Sequence, residues 1–188
     1  MKRFDIYMSG VGGQGIGLLS EVVIRAADHA GLPVCGVDTH GLAQRGGMVE
    51  SFVRIGGEVT TPLVRRGAAS LVMALERTEA LRALEAYAAP GGVLLFYDTL
   101  WQPLDVRLGK ADAVSGEDVE EACRRLNVRH ITVRRELPDV RMQNVALLSR
   151  AVKEQLIPGV ELEHYRKALE DLLPERVLAE NLKVLEGN

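Results

Sequence analysis

The sequence predicts an α/β fold: a single three-layer domain over residues 1–188, with a mostly parallel, Rossmann-like sheet and a C-terminal helical segment. Three observations predict it. Largely apolar runs at 4–9 (FDIYMS), 70–75 (SLVMAL) and 93–97 (VLLFY) read as strands buried on both faces. Segments of helical period alternate with such runs along nearly the whole chain. Glycine and proline fall between the two kinds of segment and supply the breaks.

Phe4–Ser9 is the first strand. Glycines follow, and then a helix over 14–30, whose apolar positions Leu18, Leu19, Val22, Val23, Ala26, Ala27 and Ala30 recur at helical spacing, with Gly31 as its stop. Leu32–Val37 is the second strand, and the strand–helix–strand succession predicts a parallel pair joined by a right-handed crossover. Met48–Ile55 reads as a strand, and Gly56-Gly57 as a turn into Glu58-Val59-Thr60, which predicts a hairpin. The strand at 70–75 leads to a helix over 79–88, a turn at Pro90-Gly91-Gly92 and the strand at 93–97. Asp112–Val114 is a candidate short strand, 117–126 a helix and 128–133 a strand. Helices over 144–156, 162–172 and 175–185 make up the C-terminal segment.

A chain of 188 residues, 47% hydrophobic and 26% charged with net charge -3, has the composition of a soluble domain with a sizeable core. Arg65-Arg66, Arg124-Arg125 and Arg134-Arg135 are short basic pairs balanced by acids, so neither nucleic acid nor an anionic membrane is an expected partner. No apolar run reaches the ~18–20 residues that span a bilayer. No signal peptide is visible, and the expected location is cytoplasmic. The two cysteines, Cys35 and Cys123, form no CxxC, whereas clusters and structural zinc sites usually take about four ligands with cysteines close together. The expectation is no metal and no cofactor bound by this chain alone, with both thiols packed in apolar surroundings. His29, His130 and His164 are scattered and suggest no metal set.

Gly10, Gly12 and Gly15 fit G-x-G-x-x-G between a strand and a helix. A helix N-terminus exposes unpaired N–H groups and a partial positive charge, and glycines let an anion approach the backbone. Asp38 follows the second strand about twenty residues on, where a ribose-binding acid stands in dinucleotide sites. Three readings fit: a dinucleotide site, a loop facing an anionic group on a partner's ligand, or a tight turn needed only for packing. The absence of GK[ST] excludes P-loop hydrolysis.

A second polar stretch, THGLAQRGG, follows Asp38. His40 can exchange protons near neutral pH and is a weak catalytic candidate, since no nucleophile or second carboxylate accompanies it. Arg45 can hold a carboxylate or phosphate, and Gln44 can donate and accept. A turn shaped by its own side chains, or one that meets a neighbouring subunit, fits as well.

At these two stretches the sequence resembles the gamma-type domain of 2-oxoacid:ferredoxin oxidoreductases. GVGGQGI and HGLAQRGGMVESFVRIG carry the resemblance, and the HG-x-AQRGG form is most similar to the beta subunit of the indolepyruvate:ferredoxin enzymes. LVMALERTEALRAL, PGGVLLF, RMQNVALLSRAV and AENLKVLEGN extend it over nearly the whole chain. Ser149 departs from the glycine more usual there, and 98–141 carries little that matches. The resemblance implies a subunit of an enzyme that oxidatively decarboxylates an aryl pyruvate with CoA and reduces ferredoxin. An alpha partner subunit would bear the thiamine diphosphate and iron–sulfur clusters, CoA would be a substrate, and this chain would be inactive alone. It places the cofactor-binding or interface residues at Gly10, Gly12, Gly13, Gln14 and Gly15, and at His40, Gln44, Arg45, Gly46 and Gly47. A homodimer, a relative acting on pyruvate, 2-oxoglutarate or a branched-chain oxoacid, an independent NAD(P) enzyme and a non-catalytic scaffold remain as alternatives.

Overall fold

The computed structural model describes residues 2–39, 47–57, 60–101, 104–110 and 112–187. In chain order the elements are β1 (Phe4–Val11), α1 (Ile16–His29), β2 (Val34–Thr39), β3 (Met48–Ile55), β4 (Ala69–Ala74), α2 (Arg77–Tyr87), β5 (Ala88–Tyr97), α3 (Leu104–Arg107), α4 (Gly116–Leu126), β6 (Arg129–Val133), α5 (Gln143–Lys153), α6 (Leu162–Leu172) and α7 (Glu175–Glu186). The strands form one six-stranded sheet in the order β2-β3-β1-β4-β5-β6. Pairs β1·β4, β4·β5 and β5·β6 are parallel, while β3 runs antiparallel to both β1 and β2.

Alternation along the central strands splits the core between the two faces of the sheet. Ile6, Met8, Leu71, Met73 and Leu95 face α1 and α5, whose own buried side chains include Leu19, Val23, Val145 and Leu148. Tyr7, Val72, Ala74, Leu94 and Phe96 face α2 and α4, through Ala80, Leu84, Val119 and Cys123. Helix α6 packs on α1, and α7 packs on α5 and α6, so the C-terminal helices form an outer cover over one face. Gly31 ends α1 at φ +68, and the Leu32 N–H closes the helix on the Ala27 carbonyl at 3.0 Å. Among the described residues, no helix is long and apolar enough to cross a membrane.

Four local expectations are overturned. The first and second strands run the same way but do not pair, because β3 lies between them, hydrogen-bonded to each. That also corrects the hairpin after β3: both of its edges are already taken, and Thr60 lies outside any strand (Glu58 and Val59 lie outside the described residues). Asp112–Val114 forms no strand, since β6 occupies the free edge of β5. Pro90-Gly91-Gly92, read as a turn, lies within β5 as an irregular start whose register against β4 shifts between Ala69 and Leu71.

Candidate functional site at the carboxyl edge of the sheet

Chain connections diverge between β1 and β4. From β1 the chain crosses by α1 towards β2 on one side, and from β4 it crosses by α2 to β5 on the other. Such a divergence opens a crevice at the carboxyl ends of the strands, where α/β sheets bind ligands. The glycine loop stands there. Gly13 and Gly15 adopt φ +102 and +85, and Gly15 is the N-cap of α1 with no side-chain cap.

The loop is held from inside. Gln14 is buried; its Oε1 accepts from the Val11 N–H at 2.8 Å and its Nε2 donates to the Leu75 carbonyl at 3.1 Å, tying β1 to the end of β4. The Gln14 N–H closes on the Val11 carbonyl, and the Gly12 N–H is given to the Gly47 carbonyl at 2.8 Å. Asn144, at the start of α5, donates to the Gly15 carbonyl at 3.2 Å, and its Oδ1 accepts from the Val145 N–H. Among the described residues nothing accepts from the N–H groups of Gly13, Gly15, Ile16 and Gly17. Those donors, at the positive end of a 14-residue helix, suit an anionic group.

The second polar stretch begins and ends at this same edge. Thr39 pairs with Glu50, Val11 pairs with Met48, and Gly47 touches Gly12, so the two motifs are joined at their ends. His40, Gln44, Arg45 and Gly46 lie outside the described residues. Gly10 is the penultimate residue of β1, where a Cβ would come 2.9 Å from the side chain of Ile16.

Two buried carboxylates at the crevice escape sequence reading. Glu76 caps α2, accepting from the Thr78 N–H at 3.0 Å and from the Glu79 N–H, and the Trp101 N–H also reaches it. Burial raises its pKa, while the hydrogen bonds from Thr78, Glu79 and Trp101 oppose the rise. Glu79 accepts from the Ser9 hydroxyl at 3.3 Å and from Arg82 at 2.6 Å. Their signal is positional: in LVMALERTEA both follow directly on a buried strand that ends at the carboxyl edge. Next along the edge, burial pushes the Asp98 carboxyl up, but the guanidiniums of Arg77 and Arg134 outweigh it and hold the group below its usual range.

Asp38 does not complete a dinucleotide site of the usual order. It lies on β2, one strand removed from β1, and its carboxylate accepts from Ser20 at 2.6 Å beside the first turns of α1. The thiols do not fit a cluster: Cys35 is on β2 and Cys123 on α4, in the core on the opposite helix layer from α1, where burial pushes it up to about 11. Among the described residues no three His, Cys, Asp or Glu side chains gather as a metal set.

The profile of the pyruvate ferredoxin/flavodoxin oxidoreductases matches residues 5–187. The indolepyruvate oxidoreductase subunit IorB of Archaeoglobus fulgidus is 34% identical over 98% of this chain and 92% of its own length. IorB of Methanothermobacter thermautotrophicus is 32% identical over 96% and 93%. Among solved structures, the gamma subunit of a keto/oxoacid ferredoxin oxidoreductase from Geobacter sulfurreducens superposes with a TM-score of 0.67 at 21% identity, covering 97% of this chain and 94% of that one. The 2-oxoglutarate:ferredoxin oxidoreductase of Magnetococcus marinus matches at a TM-score of 0.67 and 18% identity, with all of this chain laid on 30% of that one. These two likenesses are likenesses of fold.

Proposed function

The chain belongs to the pyruvate ferredoxin/flavodoxin oxidoreductase family, and from that premise we propose that it is the non-cofactor-bearing subunit of a cytoplasmic indolepyruvate (aryl pyruvate):ferredoxin oxidoreductase. The reaction converts a 2-oxoacid, CoA and two oxidised ferredoxins into acyl-CoA, carbon dioxide, a proton and two reduced ferredoxins. An alpha partner carries the thiamine diphosphate and iron–sulfur clusters. Thiamine diphosphate supplies the electron sink for decarboxylation and the clusters accept single electrons. The observation that supports this most strongly is the near-full-length likeness to subunits named for indolepyruvate.

This chain's residues contribute a wall and a set of donors. Gly13 and Gly15, with Ile16 and Gly17, offer N–H groups to an anionic group held at the junction with the partner. Gly10, Gly12 and Gln14 hold that loop in shape, and the Gly47 carbonyl accepts from Gly12; His40, Gln44, Arg45 and Gly46 are assigned to the junction on the resemblance alone. No side chain here is assigned as nucleophile or general base.

Reconstitution tests the reading. The chain is mixed with the thiamine- and cluster-bearing subunit from the same source, and CoA-dependent reduction of a viologen dye is followed with indolepyruvate, phenylpyruvate, pyruvate and 2-oxoglutarate. Activity in the mixture alone, fastest with the aryl substrates, is expected. Preference for pyruvate or 2-oxoglutarate overturns the substrate assignment. Failure of the two proteins to associate or react overturns the subunit role.

A further inference from the structure

The two edges of the sheet are β6 and β2. Strand β6 carries Arg129 and His130, and Arg134 follows it. Strand β2 reads Val34-Cys35-Gly36-Val37, with no charge before Asp38. Edge strands usually carry charge or proline, because a bare edge is a template for another strand. The main-chain groups that β2 offers can be named. The Gly56 N–H donates to the Pro33 carbonyl at 2.7 Å, one step before the Val34↔Ile55 pair of the β2–β3 ladder. Hydrogen-bonded and non-hydrogen-bonded pairs alternate along such a ladder. Cys35, Val37 and Thr39 therefore turn their N–H and C=O groups to β3, and Val34, Gly36 and Asp38 turn theirs outward. Among the described residues nothing bonds to that outer row. Beside it, a groove of about 410 Å3 lies between β2 and the flank of α1, where Glu21, Ile24, Arg25 and Asp28 line it. Glu21, Arg25 and Asp28 are exposed, and none of the three has an ion pair among the described residues. Ile24 lies over Gly36, where a Cβ would come 2.4 Å from its Cδ1.

We propose that the outer edge of β2 pairs with that of a second copy of this chain, antiparallel about a two-fold axis at Gly36, so that two sheets join as one. A two-fold antiparallel pair sets one residue against itself. With Gly36 there, Gly36 meets Gly36 and Val34 meets Asp38 as hydrogen-bonded pairs, and every outward group of the three residues is used. Centring on Cys35 or Val37 sets one of them against a residue beyond the end of the strand. The axis stands perpendicular to the sheet, so both α1 helices lie on one face, antiparallel across it. Ile24 over Gly36 marks the level of the axis. Arg25 then comes within about 3 Å, measured along the helix, of the level of the second copy's Glu21. That pair forms twice by symmetry and gives both charges the partner they lack. Asp28 comes level with the second copy's Ser20 and meets no like charge. On the opposite face Cys35 stands against the second copy's Val37 as a non-hydrogen-bonded pair, with Cα atoms about 4.5 Å apart.

Sedimentation equilibrium of the full chain in reducing buffer is the test. A species of twice the chain's 20.5 kDa is expected. Arg25→Glu and Glu21→Arg each set like charges together twice, and each is expected to weaken the dimer roughly tenfold or more. The double variant carrying both changes is expected to recover most of that loss, which a merely structural effect of either change would not allow. Arg125→Glu, on α4 and paired with Glu85 away from this edge, is expected to leave dimerisation unchanged. The register has its own readout. Val37→Cys is expected to form a disulfide with the native Cys35 of the second copy on mild oxidation, since the separation of that pair suits one. The cross-link is expected to vanish when Cys35→Ser is added. A chain that stays monomeric overturns the proposal. So does a dimer that neither charge reversal weakens, or one that Val37→Cys fails to cross-link. Charge reversals that spare the chain's own association and weaken only its binding to the thiamine- and cluster-bearing subunit overturn it too, and give the edge to that subunit. None of these readouts depends on the reaction proposed above, and reconstituted activity tests that reaction separately.

Discussion

Gly15 carries two separate constraints. Its φ of +85 is a left-handed conformation that L side chains rarely adopt, and a Cβ built there would lie 2.6 Å from the Asn144 Nδ2. Backbone strain of this kind costs about 1–3 kcal/mol. Gly15→Ala is therefore expected to destabilise the chain by at least that amount in urea unfolding. Gly13→Ala, at φ +102 with nothing within 4 Å of the new Cβ, pays strain alone and serves as the comparison. In an Asn144→Ala background the cost of Gly15→Ala is expected to fall, and additivity of the two changes would show that no clash couples them. Asp98 gives a pH-dependent case. Its carboxylate is nearly buried between Arg77 and the mostly exposed, solvent-screened Arg134, so the Arg77 pair carries most of its value. Asp98→Asn is expected to cost about 1–3 kcal/mol at neutral pH. The folded pKa is lowered, so this contribution is full above the unfolded value of about 3.9 and fades as pH falls through the lower folded one. Unfolding curves of the two proteins should converge below about pH 4; a gap constant down to pH 2 would refute the assignment. At this scale the glycines were legible because φ restricts the residue type. Glu79 and Asn144 were not, because their roles depend on contacts across 70 and 129 residues of chain, and Glu76 was not, because the helix it caps begins at Arg77, ahead of the start that its pattern suggests.

Strand β5 shows what a composition rule misses in a whole element. Pro90-Gly91-Gly92 has turn chemistry, yet the three residues lead β5 into the sheet beside β4. Gly91 takes φ +78 and donates to the Asn127 carbonyl at 2.7 Å, and Gly92 packs where a Cβ would meet three backbone carbonyl oxygens, of Ala89, Ala69 and Ser70, at 2.9–3.2 Å. Carbonyls of a paired strand have nowhere to move. Gly92→Ala is expected to cost about 1–3 kcal/mol, the usual range for overpacking, and to loosen the β4–β5 register. Hydrogen exchange at Leu71 and Val93 would report that loosening, and native protection there in the variant would contradict it. The other elements were legible where apolar period and punctuation agree, as in α1, β3 and α6. Sheet order was not legible. Nothing in the sequence near β3 says that it returns between β1 and β2, because that choice is made by packing against α1 rather than by local pattern.

For the molecule as a whole, the question is what a small α/β subunit, in which no metal set gathers among the described residues, contributes to its enzyme. Its carboxyl edge carries N–H donors of the glycine loop that find no acceptor among the described residues and, on either side of them, two large apolar side chains left in solvent. Met48, paired with Val11 at the end of β1, and Trp101, beside Glu76, are each 46% exposed. Burial in a partner would bring such side chains about 1.5–3 kcal/mol each, and aromatic anchors carry a disproportionate share of binding energy at interfaces. If this edge meets the cofactor-bearing subunit, Met48→Glu and Trp101→Glu should each weaken association at least about tenfold, because a carboxylate buried there has no partner. The same changes should leave the isolated chain within about 0.5 kcal/mol of its original stability, since neither side chain contributes to the core. Affinity measured by titration of the partner, beside urea unfolding of the free chain, separates the two effects. Reduced affinity with unchanged stability places the carboxyl edge at the junction. Unchanged affinity in both variants removes it from the junction, and the anionic group would then have to reach the glycine loop from solvent.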